Sequence, residues 1–322
     1  MISRRQLRIK TLQTLYAYYN NEDGQVARAE KELLHNIRKA YDLYHAIFVL
    51  LIDIANYAES RIELARNKRV PSDEDLHPNT RFIDSRLIGQ LRNCEQLMRY
   101  IDQEKISWVN YPELVKALHS QITDDPGFRE FMEADAVSYA DEIRLFTHLL
   151  KDIIYPSESL EQALEEQSIY WTDDLEYMVS MAIKTLKRFR EDGSQEKPLL
   201  DLYKNPEDKA FAIDLLRRTI ANREEYTGYI KSHIRNWDLE RIAFMDILIM
   251  LMAIAEFIGF ESIPTKVTLN EYLEISKIYS TNKSNVFING VLDKVALQLK
   301  EGKKIRKTGR GLIGEFDGEN QK

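Results

Sequence analysis

Apolar residues recur at alternating three- and four-residue steps along most of the chain, the spacing that lays one stripe along a helix. Residues 25–69 contain neither proline nor glycine, and Leu34, Ile37, Tyr41, Tyr44, Phe48, Leu51, Ala55, Ala58, Ile62 and Ala65 keep one seam over that length. Leu43, Ile47, Leu50 and Ile54 add a second apolar flank, which predicts a helix buried inside a bundle, with a homodimeric coil through the same seam as the alternative. The same periodicity predicts helices over 82–105, 112–122, 128–154, 157–167 and 175–189, separated by a Pro71–Pro78 loop and a polar linker at 191–198. A helix carrying Phe211, Leu215, Ile220 and Tyr226 follows, then the most apolar one, Leu239 to Phe257, whose near-continuous hydrophobicity places it at the centre of a bundle. Strand-like alternation competes nowhere, so the fold class expected is all-α.

Two closing helices complete the pattern. Pro264 suits a helix entry, and Thr268 with Glu271 has capping-box spacing. After the polar turn Ser280–Ser284, the stripe Phe287, Ile288, Val291, Leu292, Val295 and Leu299 reads as buried. Gly290 lies inside that stripe, where glycine costs about 1 kcal/mol relative to alanine, so a close approach to its backbone is expected, plainly from tight helix packing. Asp246, inside the most apolar helix, needs a partner such as Arg241 or a helix-end donor.

Composition narrows the function classes. A chain of 322 residues that is 44% hydrophobic and 30% charged has enough apolar material for real cores. Its single cysteine, Cys94, sits among Leu91, Leu97, Met98 and Ile101, a buried helical setting that fits a reducing compartment. No signal-peptide core follows the basic start and no run is long enough to span a membrane, so a cytoplasmic location is expected. A net charge of −7 argues against coating nucleic acid by bulk electrostatics and leaves local basic patches as the route to phosphate.

One such patch opens the chain. Ser3 caps a helix with Gln6 as its box partner, and Arg4, Arg5, Arg8 and Lys10 then crowd cations onto an end that already carries partial positive charge. An anion would relieve this, and amides plus arginine forks suit a phosphate; the plain alternative is a solvated basic start. The second patch is the tail from Lys300, with Lys303, Lys304, Arg306, Lys307 and Arg310 among glycines, expected to be disordered. No histidine pair has zinc spacing, no phosphate loop or nucleophile elbow is present, and Cys94 lies in an apolar stripe. The expectation is a non-enzyme with no cofactor and no metal.

The ordered set Pro264–Thr265–Lys266–Val267, Leu269–Asn270–Glu271, Glu274, Lys277 and Phe287–Ile288–Asn289–Gly290–Val291–Leu292–Asp293 resembles the closing helices of the NusB family of transcription antitermination factors. Ser3–Arg4–Arg5, Arg8, Leu12–Gln13 and Leu15–Tyr16 resemble its arginine-rich first helix, and Phe211, Asp214, Leu215, Leu216, Arg241–Ile242, Asp246 and Glu256 continue the likeness. The resemblance implies a NusB-like helical bundle that binds single-stranded boxA-like RNA with a NusE-type small-subunit ribosomal protein, in the RNA polymerase antitermination complex on ribosomal RNA operons. It further implies that Arg4, Arg5 and Arg8 meet phosphates and that Phe287 and Phe211 stack on bases, although periodicity alone puts Phe287 in the core; Lys10, next along the basic helix, joins the expected RNA-binding set. Lys283 stands where relatives carry an acid and joins the RNA-binding set. Leu251 and Ala255 depart from the family's central helix. The resemblance divides the chain into a first helix (1–21), an expanded helical insertion (22–205), a C-terminal helical subdomain (206–300) and a basic tail (301–322). The competing readings are a NusB-like module in ribosomal RNA modification or ribosome assembly, and a helical protein–protein scaffold.

Overall fold

The computed structural model describes residues 1–21, 24–234 and 242–314. Among these the chain forms fifteen α-helices and no strand: α1 (Arg4–Asn20), α2 (Val26–Arg66), α3 (Asp73–Leu76), α4 (Arg86–Arg92), α5 (Glu95–Glu104), α6 (Pro112–Asp124), α7 (Pro126–Glu133), α8 (Tyr139–His148), α9 (Glu158–Gln167), α10 (Leu175–Leu186), α11 (Asp208–Ala221), α12 (Arg223–His233), α13 (Phe244–Gly259), α14 (Thr265–Tyr279) and α15 (Asn282–Glu301). No helix among the described residues is long and apolar enough to cross a membrane. The chain divides into two units, one of Met1 with Arg38–Leu202 and the other of Ile2–Ile37 with Tyr203 onward, so the boundary at 37/38 falls inside α2.

In the first unit the later turns of α2 are the centre. Ala40, Leu43, Tyr44, Ile47, Phe48, Leu51, Ile54 and Ala55 are all buried, which accounts for both apolar flanks read in the sequence. Polar atoms of the surrounding segments are satisfied on this core: Trp108 Nε1 donates to the Ala46 carbonyl and Trp171 Nε1 to the Lys39 carbonyl, each at 2.8 Å, and the Tyr44 hydroxyl meets Thr185 Oγ1 at 2.6 Å. The helix expected over 82–105 is two helices, because the turn at Asn93–Cys94 ends α4 and starts α5. Cys94 is buried, yet at the N-cap of α5 and not in mid-helix. The 128–154 helix is also divided, α7 from α8, and α8 runs on into a π-helical turn, Leu149–Ile154.

In the second unit α13 is the centre: Leu248 through Ala255 are fully buried, and α1, α11, α12, α14 and α15 pack round it. Ile2, also buried, pairs in parallel with Tyr203 and fixes the chain just ahead of α1. Asp246 accepts from the Ser280 hydroxyl; Arg241, its other expected partner, lies outside the described residues. Thr268 is not the cap of α14, which starts at Thr265 with Pro264 before it; its hydroxyl turns inward to a carboxylate. Gly290 also departs from expectation, since it is exposed and a methyl group there would meet nothing within 4 Å. The tail expected to be disordered is, through Gly314, seated on the unit. Thr308 N donates to the Glu261 carbonyl at 3.0 Å, Lys307 Nζ to the Phe260 carbonyl at 3.0 Å, and Lys304 pairs with Glu225 at 2.7 Å.

Candidate nucleic-acid interface

The basic start of α1 is built on carboxylates from three other helices of its unit. Ser3 caps the helix by accepting from Gln6 N at 3.3 Å, as its position predicts. Arg4 Nε donates to Asp208 at 3.1 Å on α11. Arg5 makes a two-bond fork to Glu271 on α14, at 2.9 and 2.8 Å. Arg8 makes another to Glu256 on α13, at 2.7 and 2.6 Å, with Glu271 a further 3.5 Å from its second amino group. Glu256 also accepts from the hydroxyls of Thr268 at 2.9 Å and Tyr272 at 3.1 Å, so four donors converge on one carboxylate.

Burial decides which of these pairs can exchange with an outside anion. The side chains of Arg8 and Glu256 are 3% and 0% exposed. Burial on its own would lower the Arg8 pKa, but the facing Glu256 carboxylate outweighs it and holds Arg8 above its ordinary value. Burial, and then the Glu256 charge, hold the Tyr272 phenol well above 10. Arg4 and Arg5, by contrast, are 36% and 43% exposed; of their partners Glu271 is 21% exposed, while Asp208 is 1% exposed and also accepts from the backbone and side-chain nitrogens of Asn205 at 3.0 and 3.2 Å. A pair as open as Arg5–Glu271 is worth about 0.2–1 kcal/mol, whereas breaking a buried one costs about 3–5 kcal/mol. Arg5 therefore sits in an open pair, Arg4 is exposed but tied through Nε to a buried carboxylate, and Arg8 is enclosed.

The other members of the expected RNA-binding set lie in different settings. Lys10 is 1% exposed and lies inside the unit. Phe211 is buried beneath Arg4 and Arg8, whose guanidinium carbons stand 5.1 and 5.2 Å from its ring centre, with Phe260 edge-on at 5.0 Å. It is a platform for arginines, closed to a nucleobase. Lys283 is exposed in the first turn of α15, and Phe287 lies half-buried one turn later on the same helix.

These groups are connected along α1. Arg5 reaches Glu271 and Gln13 reaches the Tyr279 hydroxyl at 3.0 Å, both 266 residues apart in sequence, so α1 and α14 run side by side in one direction. The turn from α14 into α15 thus lies at the Gln13 end, about 12 Å of helix from Arg5. Asn285 pins α15 to that turn, donating to the Leu273 carbonyl at 2.8 Å and to Ser276 Oγ at 2.7 Å. The structure accordingly places Arg4 and Arg5 at one end of the α1–α14 pair and the start of α15 at the other. The sequence points to neither Asp208 nor Tyr272 as a partner of the arginines, and it shows Thr268 and Glu271 only as a capping pair and Glu256 and Glu271 only as parts of the family likeness.

Charge separates the two units. Segment 38–202 holds 20 Lys and Arg against 31 Asp and Glu, a formal −11, leaving 25 against 21, or +4, for the rest of the chain.

Comparison with known proteins gives one family. The NusB family profile matches residues 175–297. The match begins at Leu175, the first residue of α10, inside the stretch expected as an insertion. A transcription antitermination protein NusB of Salinibacter ruber is 41% identical over 128 residues, which are 38% of this chain and 80% of that protein. Proteins of the same name from Chloroherpeton thalassium and Natranaerobius thermophilus are 39% and 38% identical over 105 and 89 residues, covering 33% and 28% of this chain and 50% and 64% of theirs. No solved structure matches the chain.

Proposed function

This chain belongs to the NusB family, and from that premise we propose that it is a transcription antitermination factor. It binds single-stranded boxA-like RNA together with a NusE-type small-subunit ribosomal protein, as part of the polymerase antitermination complex on ribosomal RNA operons. Its action is binding, not catalysis, and its place is the cytoplasm.

The observation that carries this reading is the open arginine–carboxylate pair Arg5–Glu271, with the exposed guanidinium of Arg4 beside it, on a unit of net positive charge. A phosphate displaces Glu271 from the Arg5 fork, an exchange of one charge-assisted contact for another, and Arg4 meets phosphate through the part of its guanidinium group that Asp208, bonded at Nε, does not hold. Lys283 meets a further phosphate and Phe287 offers a ring face to a base at the far end of α1. Arg8, Lys10 and Phe211 act by holding that surface in shape. The −11 segment repels nucleic acid and takes no part in RNA contact.

Fluorescence anisotropy of a labelled boxA-like RNA and a scrambled control, with and without the cognate NusE-type protein, tests the reading. Selective binding that the partner tightens and Arg4→Gln/Arg5→Gln weakens is expected. Equal, weak binding to both RNAs, indifferent to partner and variant, would overturn it.

A further inference from the structure

The C-terminal strap, 302–314, carries five cations, Lys303, Lys304, Arg306, Lys307 and Arg310, and no acid. Without them the +4 of the chain outside 38–202 would become −1, so the strap supplies the whole positive excess on that side. A solubilising tail needs no fixed position. This one has a tailored seat: a methyl group at Gly311 would stand 1.9 Å from the Glu261 carbonyl oxygen, an approach of backbone to backbone that only glycine permits. Thr308 N donates to that same carbonyl, and Gly314 reaches the side chain of Lys266 near the start of α14.

The seat adjoins the arginine cluster. Lys307 holds the carbonyl of Phe260, the ring of Phe260 is edge-on to Phe211, and Arg4 lies over Phe211. Three contacts therefore link the strap to the start of α1. Lys304 and Lys307 are used in seating the strap, while Lys303, Arg306 and Arg310 are exposed and form no ion pair among the described residues.

We propose that the strap is a second phosphate-binding element that extends the RNA track beyond α1, gripping nucleotides that flank the boxA-like segment. This rests on the RNA-binding reading above. The strap offers cations and no aromatic ring, so it follows the backbone without reading bases: its contribution depends on RNA length and on salt, and not on the flanking sequence.

The test uses the full chain with a short boxA-like RNA and with the same RNA lengthened by about eight uridines on either end, within the span that single-strand-binding surfaces cover. Wild type is expected to bind one lengthened RNA several-fold more tightly than the short one. Arg306→Gln/Arg310→Gln should remove that gain, reduce the slope of log affinity against log salt by about 1.4, and leave the short RNA unchanged. Gly311→Val, which unseats the strap, should lose the same gain. An unchanged affinity on lengthening, or a gain that survives the glutamine variant, would overturn the assignment; survival would leave these cations to an acidic protein surface, or the strap to a clasp over the α13–α14 turn. Failure of wild type to bind even the short RNA refutes the antitermination reading instead, so the two failures are distinguishable.

Discussion

Replacing Glu256 by glutamine keeps the shape of the residue on which the second unit converges and removes its charge. In the wild type that carboxylate receives two Arg8 donors and the Thr268 and Tyr272 hydroxyls at a fully buried position. An amide offers one acceptor oxygen and brings two N–H groups of its own into a site already crowded with donors. Arg8, 3% exposed, loses its two-bond counter-charge and keeps only Glu271, 3.5 Å from its second amino group and shared with Arg5. Breaking a buried pair from one side costs about 3–5 kcal/mol, a large part of a domain's total of about 5–15 kcal/mol. Replacing both ends by apolar residues costs far less, so Arg8→Met/Glu256→Leu should recover most of the loss. Hydrogen exchange followed by mass spectrometry reads each unit separately, which a single unfolding curve of a two-unit chain does not. The slowest amides of α1, α13 and α14 should exchange faster by two to three and a half powers of ten, roughly, in Glu256→Gln, while those of α4 to α10 keep their rates. A loss below about 1 kcal/mol, or a double variant no better than the single one, would refute the reasoning.

Three further outcomes follow from other sites. His45 is fully buried, donates through Nδ1 to the Tyr41 carbonyl at 2.8 Å and stacks on Tyr100 at 3.9 Å, and burial pushes its pKa down from 6.5 to about 4. The unfolded chain therefore takes the proton first, and the 38–202 unit should lose roughly 3 kcal/mol as pH falls from 6.5 to 4, a loss absent from His45→Phe when urea unfolding is followed by Trp108 and Trp171 fluorescence. His148 is shifted the other way: burial lowers it, but its bonds to Asp125 at 3.1 Å and Asp152 at 2.8 Å prevail and raise it. Its contribution is complete below the unfolded value near 6.5 and fades as pH rises through the higher folded value, so His148→Gln should flatten the stability profile on the alkaline side of 6.5 in the same assay. Gly290→Ala should raise the melting temperature, by about 1 kcal/mol in stability, because the added methyl group meets nothing and the helix loses a glycine.

The helical architecture was legible because apolar spacing reports local geometry directly. The cap at Ser3, the two-flanked burial of α2 and the central position of α13 all follow from residues close in sequence. What escaped was set by partners far along the chain. Arg8 and Lys10 look alike as cations in a first turn, and only the placement of Glu256, 248 residues from Arg8, decides that Arg8 faces inward. Phe211 reads equally as core or as a stacking ring until Arg4 and Arg8 are seen lying over it. Gly290 carries the opposite lesson: its place in an apolar stripe implied a close neighbour, and its Cα hydrogen points into open space. The strap has the composition of a disordered tail, and its order depends on one carbonyl, Glu261, whose position no periodicity reveals.

In the proposed interface the RNA takes a guanidinium group, that of Arg5, already held by one of the protein's own acids, so that the Glu271 carboxylate competes with phosphate. This makes the two sides of one pair opposite in effect. Arg5→Gln removes a phosphate ligand, while Glu271→Gln releases one and leaves Arg8 its main partner, Glu256. The measurement is the affinity of a boxA-like RNA for wild type and these two variants at one salt concentration. Weaker binding is expected for Arg5→Gln and tighter binding for Glu271→Gln, by up to about fivefold, the strength of an exposed ion pair. Weakening in both variants would mean that the pair serves only to hold α1 against α14, and would contradict the proposed competition.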